Sequence, residues 1–252
     1  MITIIIATLN CGAELQDCLS SIRVQIDTKP QVIVVDGGSE DNTIDVIREN
    51  SDIIDEWSSL PDNGIYDAWN RALTSISGTW VLFMGADDRL YEPETLRKAQ
   101  KYLSDQPTSV LISYGSVSSH DTQGNQKIKG NDWEIAQGYL KSRMPIPHQA
   151  VFHRSDLFLK GKEFEKKYLV SGDYEMLLYA INKGDVAWIP DFIVMEIGLG
   201  GLSSKRSNRV LILREYREIQ KHYGLPLESS WLLEMIKGYF WLFVNQFVKV
   251  DP

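Results

Sequence analysis

The first 90 residues alternate short apolar runs with amphipathic segments, and this alternation limits the possible folds more than any other feature. The runs have the length and continuity of strands buried on both faces, and the segments between them repeat apolar residues at helical spacing. The predicted strands lie at residues 2–7, 31–35, 53–57 and 79–84. The predicted helices lie at residues 13–26, 42–50 and 65–76. Such alternation predicts an α/β fold, with a mostly parallel sheet and helices on both faces.

Polar side chains follow these strands at the points where each strand ends. Asn10 follows the first strand, Asp36 ends the second, and Asp87 and Asp88 follow the run Trp80–Met84. The carboxyl ends of parallel strands share one edge of the sheet, where ligands bind in such folds. Adjacent carboxylates repel, so this acidic pair predicts a cation or a sugar hydroxyl as its partner. The alternative for this stretch is a solvated turn, with Asp88 capping the next helix.

The second half of the chain continues with mixed elements and contains no internal repeat. We predict helices at 93–104 and 132–142, a strand at 109–117 and a strand pair within 186–197. Asp173 stands at the start of a further helix, where it could be a functional acid or a helix cap. No linker is long enough to divide the chain into two independent domains.

Composition excludes several classes of protein. A net charge of −8 argues against nucleic-acid binding by bulk electrostatics. The two cysteines, Cys11 and Cys18, are too few for a disulfide scaffold, and their spacing fits no zinc site. Neither a signal peptide nor a transmembrane helix is expected, because the first apolar run lacks a basic flank and no uncharged apolar run reaches about 18 residues. We therefore expect a cytoplasmic protein.

The C-terminal segment, residues 206–252, differs in character from the rest. Residues 205–221 carry six cations against two acids, and the stretch from Trp231 onward is aromatic and apolar but interrupted by Glu234 and Lys237. A basic segment followed by such a stretch suits a helix lying in a membrane interface. An oligomer contact, or a helix folded against the sheet, is the alternative.

The motifs TLN, VVDGGSEDNT, PDNGIYDAWNRA, MGADD, HQ and GDYE, in this order, resemble those of the family 2 glycosyltransferases with a GT-A fold. The resemblance extends from residue 2 to about residue 205. It implies a nucleotide-binding half at 1–90, an acceptor-binding half at 91–205, and a C-terminal helical extension at 206–252. It also implies inverting transfer of a sugar from a nucleoside diphosphate donor, a UDP-sugar by expectation, to an acceptor hydroxyl, with Mn²⁺ or Mg²⁺.

The resemblance also implies roles for individual residues. Asp88 would hold the metal, Asp173 would be the catalytic base, and the predicted donor site consists of Thr8, Asn10, Asp36, Asp62 and Asp87. The chain departs from the family pattern at three positions. Gly85 stands where many members have an aspartate, Leu9 replaces a tyrosine, and Gly172 stands where an acid often precedes the base.

Three further side chains have both a functional and a structural interpretation. His148 is a candidate contact for the acceptor or a phosphate, and a structural histidine otherwise. Arg206 is a candidate lid residue over the diphosphate, and otherwise part of a solvated loop. Asp67 is expected to pair with Arg71 one helical turn later, outside the site.

The expected acceptor is a saccharide, polyprenyl-linked as for many bacterial members, in cell-surface polysaccharide synthesis. Such an acceptor would place the protein at the inner face of the plasma membrane, and an oligomer is compatible with the sequence. Two other functions stay open at this point. A sugar nucleotidyltransferase would need a glycine- and arginine-rich loop where this chain reads TLNCGAELQD, and a non-catalytic protein would bind the donor without turnover.

Overall fold

The computed structural model describes residues 1–121, 123–198, 201 and 205–248. Its strands are β1 (Ile2–Thr8), β2 (Gln31–Asp36), β3 (Glu56–Ser59), β4 (Trp80–Gly85), β5 (Arg89–Leu90), β6 (Val110–His120), β7 (Gln126–Lys129), β8 (Val151–Arg154) and β9 (Asp185–Glu196). Its helices are α1 (Gly12–Arg23), α2 (Thr43–Glu49), α3 (Ile65–Ala72), α4 (Thr95–Ser104), α5 (Trp133–Ala136), α6 (Asp156–Leu159), α7 (Gly172–Ile181), α8 (Arg209–His222) and α9 (Ser230–Val248).

One mixed sheet runs through the molecule, in the strand order β3-β2-β1-β4-β8-β6-β9-β5, with β7 paired to β6. The first four strands are parallel, as the sequence predicted. The second half is not: β8 is antiparallel to both β4 and β6, whereas β6 and β9 are parallel. Thr8 pairs with Asp36, and Ala7 pairs with Gly85. The polar residues that follow β1, β2 and β4 therefore leave the sheet at one edge.

Alternate residues of β1 enter two separate cores, one on each face of the sheet. Ile4 and Ile6 pack with Leu15 and Leu19 of α1, whereas Ile5 faces the aromatic core that contains Trp69 of α3. All three isoleucines are fully buried. This two-sided burial explains why the strand is continuously apolar.

Several predicted elements have different bounds in the structure. Helix α1 ends at Arg23, three residues early, and Asp27 in the following loop has a left-handed φ of 55°. The predicted helix 132–142 is a single turn, Trp133–Ala136, capped by Asp132 and continued as a 3₁₀ turn. The strand expected at 53–57 is β3, and the strand pair expected within 186–197 is the single strand β9. The register of β9 against β6 is irregular, which explains why the sequence suggested two strands where the structure has one.

The C-terminal helices pack against the body through α8. Tyr216 of α8 contacts Tyr174 of α7 at a ring-centroid distance of 4.7 Å. Helix α9 packs in turn on α8, where Met235 is buried beside Val210 and Leu213. None of the helices within the described residues is long and apolar enough to cross a membrane.

Candidate functional site

The loops after β1 and β2 are bonded to each other. Asn10 has a φ of 50°; its backbone N–H donates to Ser39 Oγ at 2.8 Å, and its Oδ1 accepts the N–H of Glu40 at 2.8 Å. Thr8 is buried, and its hydroxyl lies 3.0 Å from Cys11 Sγ. Thr8 and Asn10 therefore lie together at the predicted edge, and Asn10 is exposed to solvent.

Asp36 is buried beneath this edge and accepts hydrogen bonds from the loop that follows β2. Its carboxylate is fully buried and accepts the N–H groups of Gly38 and Ser39, both at 2.9 Å. It also accepts the hydroxyls of Ser39 and Ser59. Both oxygens accept hydrogen bonds from within the chain, and the contact with base or ribose expected for Asp36 stays a prediction. Its role here is to fix the loop that holds Asn10.

Asp62 lies beside Gly37, at the carboxyl end of β2. A Cβ atom at position 37 would come within 2.7 Å of Asp62 Oδ2, so the carboxylate occupies the space that a side chain there would need. Asp62 Oδ1 accepts the N–H of Gly64 at 2.9 Å, and Arg71 donates to Oδ2 at 3.3 Å. The expected pair of Asp67 and Arg71 is therefore wrong.

Asp67 instead pairs with Lys166 at 2.7 Å, because the segment containing Lys166 folds back over α3. Sequence reasoning missed Arg71 as a contributor to the site. The glycine pair in VVDGGS was the only local indication of this arrangement, because it leaves room for the Asp62 side chain that Arg71 binds.

The carboxylates of Asp87 and Asp88 converge on Gly85 at the end of β4. A Cβ atom at position 85 would lie 2.8 Å from Asp87 Oδ1 and 3.3 Å from Asp88 Oδ2. The N–H of Gly85 donates to Asp88 Oδ2 at 3.0 Å. Glycine at this position, the first departure from the family pattern, leaves room for the two carboxylates beside the backbone.

Burial, followed by the neighbouring charge of Asp87, raises the pKa of Asp88 to about 7. Asp88 is only 4% exposed, and its Oδ1 makes no hydrogen bond within the described residues. An ionised carboxylate in this position needs a cation, so the pair fits a divalent metal. The described residues contain no cluster of three or more histidine, cysteine or acidic side chains that could complete a metal site. Further ligands would come from the substrate and water.

Asp173 is the second residue of α7 and is half-buried. Burial raises its pKa to about 6, against the hydrogen bonds to its carboxylate, which lower it. Ser171 occupies the N-cap position, so Asp173 is not the cap, although its Oδ1 accepts the N–H of Tyr174 at 2.8 Å.

Tyr66 of α3 connects Asp173 to the rest of the site. Its hydroxyl donates to Val170 O at 2.8 Å, accepts the N–H of Asp173 at 3.3 Å and lies 3.5 Å from Asp173 Oδ1. Gly172 packs on the Tyr66 ring so closely that a Cβ there would lie 2.9 Å from it. This contact explains why no acid precedes Asp173. Sequence reasoning missed Tyr66 because its partners are more than 100 residues away.

His148 and Arg206 do not contact these side chains: His148 lies in the aromatic core, and Arg206 lies on an exposed turn. The ring of His148 is buried in the aromatic core, stacked on Trp69 at 5.2 Å, and burial lowers its pKa to about 3. This placement favours the structural interpretation. Arg206 is exposed in the 3₁₀ turn Arg206–Asn208. Gly198 lies against Asp87, but residues 199–200 and 202–204, between Gly198 and Arg206, are outside the described residues.

The fold and this edge define a glycosyltransferase of the GT-A type, and comparison with known proteins agrees. The model of the family "Glycosyl transferase family 2" matches residues 3–158. A curated relative, the PGL/p-HBAD biosynthesis glycosyltransferase of Mycobacterium bovis, is 35% identical over 178 residues, which cover 69% of this chain and 67% of the relative. The chain therefore belongs to glycosyl transferase family 2.

Solved structures show the same fold at low sequence identity. S. aureus TarS (residues 1–349) in complex with UDP-GlcNAc has a TM-score of 0.68 and 17% identity, covering 99% of this chain and 76% of that one. The mannosyltransferase PcManGT from Pyrobaculum calidifontis, in complex with GDP-Man and Mn²⁺, has a TM-score of 0.67 and 16% identity, covering 100% and 76%. The sequence prediction of family and fold is confirmed, and the nucleotidyltransferase alternative is not supported.

Proposed function

We propose that the protein transfers a sugar, with inversion, from a nucleoside diphosphate sugar to an acceptor hydroxyl, using a divalent metal. The observation that carries the proposal is the convergence of Asp87 and the buried Asp88 on Gly85, where β4 leaves the sheet. Asp88 is buried next to the exposed carboxylate of Asp87, and an ionised buried carboxylate beside a second acid is unfavourable by itself. It becomes favourable when a cation and an anionic donor occupy the same edge.

Asp88 would hold the metal, Mn²⁺ or Mg²⁺, and Asp87 would assist it or contact the donor sugar or ribose. Such an ion, when bound, neutralises the charge that develops on the departing diphosphate. The comparison with PcManGT supports a metal of this kind, since the structure of that protein is a complex with GDP-Man and Mn²⁺. Within this chain, the N–H of Gly85 orients the Asp88 carboxylate.

Asp173 would act as the base. The acceptor oxygen attacks the anomeric carbon, its proton passes to the Asp173 carboxylate, and the bond between that carbon and the diphosphate oxygen breaks. Attack opposite the leaving group inverts the anomeric centre. A pKa of about 6 suits a base that is ionised, yet not weak, at neutral pH.

Thr8, Asn10 and Asp62 would line the nucleotide pocket, with Asp36 acting through the loop it fixes. An Asp62 carboxylate held by Arg71 could accept a ring N–H of the base. UDP is the nucleotide we propose, supported by the complex of TarS with UDP-GlcNAc, and GDP is the competitor supported by PcManGT. Arg206 stays a candidate contact for the diphosphate.

We assign the acceptor to the lipid-linked saccharides of cell-surface polysaccharide synthesis. Helix α9 exposes apolar side chains along one face, among them Leu232, Leu233, Ile236 and Phe240. Residues 205–252 carry eight lysines and arginines against five acids, in a chain whose net charge is −8. This segregation of charge beside an apolar face favours an anionic bilayer, the inner face of the plasma membrane, as its partner.

A donor panel tests the proposal. The protein is incubated with UDP-, GDP- and dTDP-sugars, Mn²⁺ and lipid-linked saccharide acceptors, and the products are analysed by mass spectrometry and NMR. We expect release of a nucleoside diphosphate and a product of inverted anomeric configuration. Release of pyrophosphate, retention of configuration, or full turnover in the presence of a chelator would contradict the proposal.

A further inference from the structure

Glu215 of α8 binds the segment that leads into the helix carrying Asp173. Its side chain accepts three consecutive backbone N–H groups: Leu169 at 2.6 Å on Oε1, and Val170 at 3.1 Å and Ser171 at 2.9 Å on Oε2. The residue is 6% exposed. Three successive amides that point at one carboxylate form an anion-binding concavity, here filled from within the chain.

This concavity lies directly before α7, which begins at Gly172. The same short segment is held from its other side by Tyr66, whose hydroxyl bonds Val170 O and the N–H of Asp173. The backbone that carries the candidate base is therefore fixed between α3 and α8. Neither helix supplies a group that would react.

We propose that Glu215 is a positioning residue that sets the placement of the Asp173 carboxylate. The inference rests on the proposed function, in which that carboxylate is the base. A displacement of about 1 Å at a reacting group can reduce turnover by about 100-fold, so a loosened segment would act on the reaction itself. The sequence predicted helix α8 as part of a separate C-terminal segment. If Glu215 positions the base, α8 contributes to catalysis.

The same helix offers a matched control. Glu218 lies one turn further along α8, pairs with Lys167 at 2.9 Å, and has 59% of its side chain exposed. An exposed pair of this kind contributes little to stability. Glu218 accepts hydrogen bonds from the side chains of Lys167 and Tyr168 and from none of the three amides that Glu215 binds. Glu218→Gln therefore removes the same charge from the same helix and leaves the bonds to residues 169–171 in place.

Glu215 also affects the protonation of the base. Its negative charge adds to burial in raising the pKa of Asp173, so its removal should move the acid limb of activity to lower pH. The other titratable groups facing Asp173 from the packed elements are Tyr66 of α3 and Tyr216 of α8. Tyr66 is buried and Tyr216 is half-buried, and burial raises the pKa of each, so neither titrates in the same range.

The test compares Glu215→Gln, Glu215→Asp, Glu218→Gln and Asp173→Asn in full-length protein, with the donor and acceptor found by the panel. For Glu215→Gln we expect kcat to fall about 10- to 100-fold, the donor KM to change less than about twofold, and the acid limb to move to lower pH. Glu215→Asp keeps the charge but reaches fewer of the three amides. Its kcat should recover part of the loss, with the acid limb near that of the wild type.

Wild-type kcat and pH profile in folded Glu215→Gln would overturn the proposal, because a purely structural residue would lower only the melting temperature. If that variant does not fold, Glu215→Asp decides: a wild-type kcat there would also overturn it. Glu218→Gln should match the wild type. Full activity in Asp173→Asn would instead refute the assignment of the base, which separates failure of the proposed function from failure of this inference.

Discussion

The carboxylate of Asp62 fills the space that a side chain at Gly37 would occupy, with its Oδ2 2.7 Å from the position of a Cβ atom there. The carboxylate has little freedom to move, since Gly64 and Arg71 hold its two oxygens. The loop after β2 and the turn before α3 therefore form one surface. In our proposal this surface binds the nucleotide base.

Gly37→Ala should weaken donor binding because the added methyl group displaces Asp62. We expect the donor Kd to rise about tenfold, a loss of about 1.4 kcal/mol, measured by titration calorimetry. Gly138→Ala is the control, since a Cβ atom at Gly138 meets nothing within 4 Å. An unchanged Kd in Gly37→Ala would remove Asp62 from the donor site.

His148 should make the protein less stable in acid. Burial lowers its pKa from 6.5 to about 3, so between these values the unfolded chain binds a proton that the folded chain excludes. The contribution of neutral His148 to the free energy of unfolding is complete above pH 6.5 and is lost as the pH falls toward 3. At pH 5 the loss is about 2 kcal/mol.

His148→Phe should remove this part of the pH dependence. Phenylalanine keeps the stack on Trp69, and no hydrogen bond is lost, because the buried Nε2 has no partner within the described residues. Urea unfolding at pH 7.5 and pH 5 measures the difference, with the exposed His222→Phe as control. An equal drop in stability for the wild type and His148→Phe would show that His148 does not contribute.

The exposed face of α9 should bind anionic vesicles. Leu233, Ile236 and Phe240 are 54%, 57% and 68% exposed, and changing all three to serine removes three large apolar side chains from this face. We expect the wild type to sediment with phosphatidylserine vesicles in a salt-dependent way, and the triple variant to stay in solution.

Leu159→Ser is the control for this experiment, because Leu159 is 67% exposed on α6, outside the C-terminal helices. It should sediment like the wild type. A wild-type protein that ignores vesicles but is a dimer, and becomes a monomer in the triple variant, would identify a second copy as the occupant of this face and contradict the membrane proposal.

Much of the first half could be predicted from sequence because its strands are buried on both faces. Ile4, Ile5 and Ile6 leave little choice of element, and parallel strands bring Asn10, Asp36 and Asp88 to one edge. The predicted helix 132–142 failed for the opposite reason. Its pattern extends only through Ala136, the one described residue buried in that turn, before the chain changes to a 3₁₀ turn.

The contacts that set the roles of the site residues could not be predicted. The sequence does not indicate the four hydrogen bonds that Asp36 accepts within the chain, and two of their donors are serine hydroxyls from separate segments. Glu215 lies in a basic amphipathic helix, where an acid suggests a surface charge, yet its partners lie more than 40 residues earlier. Long-range partners of this kind leave no local pattern in a single sequence.

The central claim, that Asp88 with Asp87 holds a metal that binds the donor, is tested most directly by donor binding with and without Mn²⁺. Calorimetric titration of wild type, Asp88→Asn and the exposed control Asp105→Asn with the preferred nucleotide sugar provides the measurement. We expect Mn²⁺ to tighten donor binding at least about tenfold in the wild type and in Asp105→Asn, and to have no effect in Asp88→Asn. The same Mn²⁺ effect in folded Asp88→Asn, or none in the wild type, would contradict the account.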